Sequence, residues 1–397
     1  MHSSFKYWPE SGFTNPCLGT LPDELQYHPL MKKIWHGVDG QKVWDCHAHV
    51  IGAGHLNGGA WFNPDMDSWL HPVLKIQKDF YMNGGCIVAD REDETFIARM
   101  LQLSADMPAG YKSMLFAFDW THTPEGKPDK ARSVFHIPNN FAANIAQKYP
   151  QYFEWVASIH PYRQDAIDAL ESAKANGARA VKWLPSVMGI DPSSPKCDQF
   201  YKKLQALNMP IISHAGHESA VIGGDQRFGN PLHLRRALDA GVRVVMAHCA
   251  SDGESEDLDH HKNAIKSFEL FTRIMDTPAY ADRAFGEISA ITLLNHAWAI
   301  KPLLQRHDWH HRLLNGSDYP LPGVLPLVST KQLQRDGLID ASHLLFLQTL
   351  RDYNPLMFDF ALKRLIQFNG VSFSDSIFET RTFFDSAIAT SHVLTTP

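Results

Sequence analysis

Residues 43–51 have the sequence VWDCHAHVI, a short apolar run with polar interruptions that indicates a β-strand. Seven further runs of this kind follow at fairly regular intervals. Most of them are continuously apolar and do not alternate, which is typical of strands covered on both faces. The eight predicted strands lie at 43–51, 113–120, 153–160, 179–184, 210–214, 242–248, 284–291 and 312–318.

Helical patterns separate these runs, and some carry end signals, such as Gly177 after one pattern and Pro231 at the start of another. Strands that alternate with helices of this length predict parallel βαβ units. Eight such units predict an α/β protein with a closed (β/α)8 TIM barrel. A doubly wound sheet is the alternative, but no GxGxxG stretch follows the first strand. The predicted helices lie at 138–148, 164–176, 196–208, 231–240, 261–275 and 293–306.

The chain has 397 residues, which is more than a minimal barrel needs. We predict an N-terminal extension at 1–42, a barrel at 43–330, and a helical C-terminal extension at 331–397 that packs on the barrel. Within the barrel, residues 52–112 form a long insertion after the first strand. Because this insertion follows the C-terminal end of a strand, it is placed to act as a lid over that end of the barrel.

The composition limits the partners and the cellular setting. Lys and Arg number 37 against 43 Asp and Glu, and no basic block occurs, which argues against nucleic acid as a partner. No apolar run approaches the roughly 20 residues needed to cross a bilayer, and the first residues lack the pattern of a secretory signal. The five scattered cysteines indicate reduced thiols in the cytoplasm. A homodimer is an open alternative, since no feature identifies an interface.

The first predicted strand carries a metal-ligand pattern. His47 and His49 are two residues apart, so on a strand both side chains point to one face and both imidazoles could reach one metal ion. The chain holds 22 histidines, so a chance pair of core histidines is the alternative. Cys46 and Cys249 adjoin candidate ligands, but their strand parity points them away from the site. We interpret both as packing residues.

Four more polar residues end predicted strands, namely Lys182, His214, His248 and Asp318. The steps of 32 residues (182 to 214) and 34 residues (214 to 248) each span one strand and one helix. The last step of 70 residues (248 to 318) spans two such units and skips the seventh strand. All these candidates therefore fall at the C-terminal ends of strands, where barrels of this kind carry their active sites.

Two of these residues leave alternatives open. Lys182 lies in a run buried on both faces, where an unpaired ammonium is costly. It could be neutral, pair with a carboxylate, or become an anionic carbamate that bridges two metal ions; otherwise it points to the helical layer and extends outward. Asp318, in Asn-Gly-Ser-Asp-Tyr-Pro, could ligate a metal and take a proton from bound water, or it could be a turn residue.

The order His-x-His, Lys, His, His and Asp at successive strand ends resembles the amidohydrolase superfamily. The segments VWDCHAHVIG, AVKWLPS, PIISHAGHES, VRVVMAHCAS and LLNGSDYPLPG carry the resemblance, which extends from about residue 43 to 323. They look most like the metal-dependent branch that also contains decarboxylases. The resemblance implies that His47 and His49 bind one metal, His214 and His248 bind a second, a carbamylated Lys182 bridges them, and Asp318 ligates the first metal and shuttles protons.

The resemblance also implies an activity, a metal-dependent hydrolase that cleaves an amide, lactone or other ester bond of a small molecule with a metal-activated hydroxide. Imidazole and carboxylate ligands without thiolate favour zinc, with manganese or iron as alternatives. Decarboxylase-like members generally hold one metal and lack a bridging lysine, so Lys182 favours the hydrolase. A single-metal non-oxidative decarboxylase and a non-catalytic metal-binding barrel are the alternatives.

Three further residues are candidates for substrate binding. Trp183 follows the candidate bridging lysine and could line the pocket, or it could face the helical layer. His217, in the stretch HAGHE, could bind substrate or orient a ligand. Arg227, in the loop after the fifth strand, could clamp a substrate carboxylate because a guanidinium forms paired hydrogen bonds with one. Loop residues of these types are also commonly only solvated.

Overall fold

The computed structural model describes residues 12–221, 223–260 and 263–385. The outer parts of the two predicted extensions, 1–11 and 386–397, lie outside these residues. Eight parallel strands form the barrel, and each overlaps one predicted run. They are β1 (Trp44–His49), β2 (Lys112–Phe116), β3 (Phe153–Val156), β4 (Val181–Trp183), β5 (Ile211–Ser213), β6 (Val244–Met246), β7 (Ala284–Glu287) and β8 (Leu313–Leu314).

Hydrogen bonds between neighbouring strands close the barrel. Strands β1 to β3 pair in order, and strands β4 to β8 pair in order as a second run, with every pair parallel. Two parallel bridges join the runs. Ala157 pairs with Val181 between β3 and β4, and Ala48 pairs with Tyr319 between β1 and the residues after β8. The predicted (β/α)8 barrel is therefore confirmed.

Helices follow the strands and cover the outside of the barrel. In the helix after β2, Phe141, Ala142 and Ile145 are buried on one face, and Pro138 precedes the first turn. The α-helices of the described residues are α1 (Asp23–Gln26), α2 (Pro29–Trp35), α3 (Pro72–Gly84), α4 (Glu92–Ala105), α5 (Asn139–Lys148), α6 (Ala166–Ala175), α7 (Pro185–Met188), α8 (Asp198–Ala206), α9 (Arg235–Asp239), α10 (Ser267–Met275), α11 (Ile300–Gln305), α12 (Thr330–Arg335), α13 (Leu344–Tyr353), α14 (Pro355–Leu365) and α15 (Arg381–Phe384).

Two predicted helices begin later than expected. The prediction at 293–306 is wrong for its first part, since turns and a short 3-10 helix, Ala297–Ala299, precede α11, which begins at Ile300. The prediction at 261–275 is wrong for its first part, since α10 begins only at Ser267. Residues Ala264–Lys266 instead form an antiparallel pair with Glu254–Glu256, and this pairing takes up the backbone groups that a longer helix would need. Residues 261 and 262 lie outside the described part of the chain.

One apolar cluster fills the barrel interior, and all eight strands and their flanks contribute to it. Met114 and Phe116 of β2 belong to this cluster, whereas Leu115 between them packs in the outer cluster with the helices. Phe384 of α15 joins the interior cluster, and Arg381 of the same helix lies 5.6 Å from the ring of Trp44, the first residue of β1. The C-terminal helix therefore covers the N-terminal end of the barrel.

The insertion after β1 covers the opposite end. It contains α3, α4 and a short strand, Trp61–Phe62, which pairs with Phe135–His136 of the loop after β2. From α3, the side chains of Gln77 and Tyr81 both donate hydrogen bonds to the carbonyl oxygen of Ala220, in the loop after β5. Helix α3 therefore lies across the C-terminal ends of the strands, where the insertion was expected to act as a lid.

Cys17 and Cys86 form a disulfide that ties the N-terminal segment to the end of this insertion helix. The prediction that all cysteines are reduced thiols is wrong for this pair, because the insertion brings together two residues 69 positions apart. Cys46, Cys197 and Cys249 are free and buried. Disulfides are typical of oxidising compartments, so the pair counts against a cytoplasmic location. Among the described residues, no helix has the length and apolar character to cross a membrane.

Removing the disulfide should destabilise the protein. We expect the Cys17→Ser/Cys86→Ser double variant to lose about 2–4 kcal/mol of unfolding free energy, because the bond limits the freedom of the unfolded chain. Urea unfolding followed by tryptophan fluorescence measures the loss. A dithiol reductant should lower the stability of the natural chain and leave the double variant unchanged. Equal stability of both chains in the absence of reductant would contradict the pairing.

His136 lies outside the barrel mouth, and its burial makes the stability of the protein depend on pH. Its ring stacks on Trp120 with centroids 4.0 Å apart, and its buried Nδ1 has no hydrogen-bond partner in the described part of the chain. Burial lowers the pKa of His136 from 6.5 to about 4. Between these two values the unfolded chain takes up a proton that the folded chain does not. The unfolding free energy therefore falls as the pH drops through this window.

A His136→Phe variant should show a smaller acid loss of stability. The ring still stacks on Trp120 but no longer titrates, so up to about 3 kcal/mol of the loss between pH 7 and pH 4 should disappear. Urea unfolding at both pH values in the presence of a chelator measures the difference. His311→Phe, at an exposed histidine, is the matched control. An unchanged pH dependence in His136→Phe would show that this imidazole titrates normally in the folded protein.

Candidate active site

A β-bulge places both histidines of β1 at the C-terminal mouth of the barrel. The pairing register between β1 and β2 shifts between Asp45 and Ala48, so Cys46 and His47 occupy a bulge. Cys46 packs in the interior cluster, and the ring of His47 lies 4.7 Å from that of Phe116 in the same cluster. The expected parity of Cys46 is therefore wrong, because a bulge interrupts the alternation of side chains. The interpretation of Cys46 as a packing residue agrees with its place in this cluster.

Two nitrogen atoms and one oxygen atom converge at this mouth. Nε2 of His47 lies 3.3 Å from Nε2 of His49, and both lie close to Oδ1 of Asp318, at 3.3 Å and 3.1 Å respectively. His47 and Asp318 are buried, whereas 27% of the His49 side chain is exposed. The group is therefore mostly enclosed, and its most accessible member is His49.

The turn after β8 holds Asp318 against β1. The backbone N–H of Asp318 donates to the carbonyl oxygen of His47 at 2.7 Å, and Asp318 has a left-handed backbone with φ of 58°. A side chain at Gly316 would put its Cβ 2.6 Å from the Cβ of His47. Only glycine allows this approach, which explains the glycine in the Asn-Gly-Ser-Asp stretch.

The protonation states of the group suit metal ligation. Burial, followed by the charge of Lys182, lowers the pKa of His47 to about 4, so this imidazole is neutral at pH 7. Burial opposes ionisation of Asp318, but His47 and His49 beside it hold the pKa of its carboxyl well below the usual range. A neutral imidazole and an ionised carboxylate are the forms that bind metal ions.

Glu287, at the end of β7, supports two of the histidines. Its Oε1 lies 3.0 Å from Nδ1 of His47 and accepts a hydrogen bond from the backbone N–H of His248 at 2.9 Å. Burial alone would raise the pKa of this carboxyl, but His47 and His248 outweigh it and keep the pKa low. The sequence analysis missed Glu287, although a carboxylate within the apolar run AFGEISAI was a usable signal.

Lys182 extends into the barrel mouth. Its Nζ lies 3.1 Å from Nε2 of His47, the side chain is buried, and burial lowers the pKa of its amine. The alternative in which it points to the helical layer is therefore wrong. Among the described residues, Lys182 forms no ion pair with a carboxylate within 4.0 Å. The neutral lysine and the carbamate are the alternatives that this environment leaves.

The two remaining predicted ligands lie on the other side of the same mouth. His248 has its Nε2 3.8 Å from Oδ2 of Asp318, and its ring lies 5.4 Å from that of His214. Nδ1 of His214 lies 3.2 Å from Oε2 of Glu218, a buried carboxylate that the sequence analysis missed. All six predicted ligands therefore line one cavity, which is what the strand spacing predicts.

The donors present fit a divalent metal ion. The three converging atoms of His47, His49 and Asp318 all lie within 4.8 Å of one another. Glu287 holds Nδ1 of His47, so Nε2 of the same ring is directed at the group, as in sites where a carboxylate orients a metal-binding imidazole. The donor set contains imidazole and carboxylate, which suit zinc, manganese or iron.

Of the three predicted substrate-binding residues, the cavity includes His217 alone. Trp183 is fully buried on the outer face of β4, where its Nε1 donates to the carbonyl oxygen of Ile159 at 2.9 Å. Arg227 is 83% exposed at its side chain and forms its ion pair with Asp225. The structure therefore does not bring Trp183 and Arg227 to the site.

The cavity has a volume of about 210 Å³ and two chemically different sides. The predicted ligands line its floor. The insertion contributes Phe62, Met66, Tyr81 and Met82 to its roof. The roof is therefore largely apolar, although Gln77 and Lys78 of α3 also line it, and the insertion takes part in shaping the space available to a bound molecule.

The fold is a closed parallel barrel, and its strand ends bring histidines, a lysine and an aspartate to one cavity. This combination is typical of a class of barrel enzymes that bind metal ions at the active site. The family model described as Amidohydrolase matches residues 44–336, which is most of the chain. The chain therefore belongs to the amidohydrolase family, as the ligand order predicts. No curated protein matches its sequence significantly.

Several solved structures are similar in fold. An uncharacterized TIM-barrel protein from Bordetella bronchiseptica is 17% identical with a TM-score of 0.47, over 80% of this chain and 99% of that one. A 5-carboxyvanillate decarboxylase from Sphingomonas paucimobilis is 10% identical with a TM-score of 0.45, over 85% and 98%. A protein from Pseudomonas putida assigned as a 2-pyrone-4,6-dicarboxylic acid hydrolase is 16% identical with a TM-score of 0.38, over 77% and 97%. Resemblance at this level does not indicate a substrate.

Proposed function

We propose that this protein is a metal-dependent hydrolase that cleaves an amide, lactone or other ester bond of a small molecule. The observation that carries the proposal is the position of Asp318, whose Oδ1 lies 3.1–3.3 Å from Nε2 of both His49 and His47 inside a cavity at the C-terminal end of the barrel. Such a carboxylate can serve both as a ligand and as a proton acceptor.

His47, His49 and Asp318 would hold one divalent ion, and His214 and His248 would hold a second. When bound, such ions supply a Lewis acid that polarises a carbonyl oxygen and makes water nucleophilic at neutral pH. Zinc suits these donors best, with manganese or iron as alternatives.

The side chains of the protein would transfer the proton and orient the metal ligands. Asp318 accepts the proton of the attacking water and passes it to the leaving group. Glu287 fixes His47 and His248, and Glu218 fixes His214, so that the imidazoles keep their orientation while charge develops nearby. The lid excludes bulk water from the cavity, which strengthens the electrostatic interactions inside it.

We also propose that Lys182 becomes a carbamate. In that step the neutral amine nitrogen attacks carbon dioxide, a nitrogen–carbon bond forms, and the amine releases one proton. The buried amine beside His47 supports the proposal, because burial lowers its pKa and so favours the unprotonated, nucleophilic form. The carbamylated Lys182 would then supply oxygen ligands for the ions that the histidines and Asp318 would hold.

Metal analysis with a turnover assay tests the function. The purified chain should hold about two equivalents of zinc or manganese and hydrolyse members of a panel of esters, lactones and amides. A chelator should abolish the turnover, and the returned metal should restore it. Metal binding with no turnover on the whole panel would indicate a non-catalytic barrel instead.

One observation favours a second candidate, a non-oxidative decarboxylase. Two tight groups of three donors lie at the barrel mouth among the described residues, and they share His47. Only the group His47, His49 and Asp318 consists entirely of cavity-lining residues, and it would serve a single ion. About one metal equivalent together with release of carbon dioxide from a carboxylic acid would support this lyase and contradict the hydrolase.

A further inference from the structure

The cavity above the predicted ligands has a largely apolar side, although Gln77 and Lys78 of α3 also line it. Phe62 and Met82 of the insertion, with Phe135 of the loop after β2, face the space from the lid side, and Leu293 and Leu327 face it from the loops after β7 and β8. A ring or branched alkyl group is therefore the ligand part that this side accepts, since each apolar contact gains by leaving water.

Away from the predicted ligands, the described residues that line the cavity include no unpaired lysine or arginine. Among its described lining residues there is no arginine, and the lysines are Lys78 and Lys182. Both carboxylate oxygens of Asp67 lie 2.8 Å from Nζ of Lys78, and Lys182 lies beside His47 at the reacting end. A substrate with a second carboxylate or a phosphate would find no free partner for that charge away from the centre.

The polar side of the cavity carries acidic groups. Asp252 accepts hydrogen bonds from Asn295 at 2.9 Å and from Ser219 at 2.8 Å. Glu218 lies near His214 and accepts the backbone N–H groups of residues 220 and 221. An additional anionic group would therefore lose its water without gaining a counter-charge, which is costly.

His296, in the loop after β7, presents one open nitrogen on this polar side. Its Nδ1 lies 2.7 Å from the hydroxyl of Ser251, and the carbonyl of Ser251 is held by Nε1 of Trp298 at 3.1 Å. The ring is buried and lines the cavity, and among the described residues its Nε2 has no hydrogen-bond partner. Nε2 donates in one tautomer and accepts in the other. A hydroxyl group of a ligand satisfies both tautomers, whereas a carboxylate satisfies only one.

We propose that the site selects a neutral, mainly apolar substrate of about the size of one ring, and that His296 binds an uncharged oxygen of that substrate, most suitably a hydroxyl. The inference rests on the proposed function, because it assumes that the reacting carbonyl of the substrate lies beside the predicted metal ligands. Two observations carry it, namely the Nε2 of His296 that has no partner among the described residues and the lack, away from the predicted ligands, of an unpaired lysine or arginine among the described lining residues. His296 is then a specificity-determining residue that touches the substrate.

Unreactive ketones test this inference apart from turnover. The probes are acetophenone, its 3- and 4-hydroxy derivatives, and the 3- and 4-acetylbenzoates, titrated into the metal-loaded full chain by calorimetry. At least one hydroxy ketone should bind about ten-fold more tightly than either acetylbenzoate, because a buried charge without a partner is penalised. Acetylbenzoates that bind as tightly as the hydroxy ketones, or the failure of all the ketones to bind, would overturn the proposal.

A variant at His296 tests the named contact. His296→Leu should remove the advantage of the hydroxy ketone over acetophenone, a loss of about ten-fold in that ratio, while His311→Leu at an exposed histidine should keep it. An unchanged ratio in His296→Leu, in a variant that binds acetophenone, would refute the contact.

The matched aryl acetate esters separate this inference from the hydrolase proposal. If the ketones bind in the expected order but none of the esters turns over, the substrate class stands and the hydrolase proposal fails. If the esters turn over but the charged members are preferred, the hydrolase stands and this inference fails.

Discussion

Asp318→Asn is expected to lower kcat on the order of 1,000-fold in the metal-loaded protein. The amide keeps the shape of the side chain but cannot accept the proton of the attacking water, and general acid–base catalysis typically contributes about 100- to 10,000-fold. The amide also removes the negative charge that lies 3.1 Å from Nε2 of His49, so metal affinity should fall as well.

The measurement must separate these two effects. Turnover is recorded at saturating metal, and the bound metal is counted in the same sample, so that kcat refers to loaded protein. Glu287→Gln is the matched comparison, because this carboxylate contacts His47 and His248 but not the cavity. Glu287→Gln should lower kcat about 10- to 100-fold, because His47 and His248 lose the contact that orients them. A near-normal kcat in loaded Asp318→Asn would leave that residue a ligand or a turn residue only.

The convergence of Asp318 with the histidines was predictable because distance along a barrel chain follows a simple rule. Each strand and helix unit returns the chain to the same end of the barrel, so polar residues one or two units apart must meet there. The strands themselves were predictable because both of their faces are buried, which makes them continuously apolar. Because of these regularities, the barrel and its six candidate ligands could be predicted from the sequence.

Local irregularities were not predictable to the same degree. The bulge at Cys46 and His47 breaks the alternation on which strand parity depends, and nothing in the composition of VWDCHAHVI signals it. Trp183 is a different case. It adjoins Lys182 on a strand, so once the lysine faces inward the tryptophan must face the helices, and alternation alone would have excluded it from the cavity.

Contacts made by the insertion and the loops depend on the path of the whole chain. The disulfide between Cys17 and Cys86 requires the insertion to fold back onto the N-terminal segment, and spacing gives no sign of that. His296 reaches the cavity from the long connection after β7, which the sequence analysis treated as a helix. Glu287 was missed because the seventh strand was taken to contribute no ligand, although its buried carboxylate shapes the site through the histidines.

Lys182→Ala is expected to lower the metal content by about one equivalent and to remove most of the activity. The proposed carbamate would bridge the two ions, so alanine leaves the second ion with His214 and His248 alone, which is too few protein ligands for a stable site. Metal analysis of the purified variant gives the first readout, and turnover on the ester, lactone and amide panel gives the second.

Lys78→Ala is the matched control, because Lys78 is also a buried lysine that lines this cavity but is paired with Asp67. It should leave the metal content unchanged. Added acetate or propionate should restore part of the second equivalent in Lys182→Ala, since a small carboxylate can occupy the space left by the carbamate. Unchanged metal content in Lys182→Ala would contradict the bridging role. The buried amine would then have to act as a neutral base or hydrogen-bond donor beside His47, and the single-ion lyase would gain support.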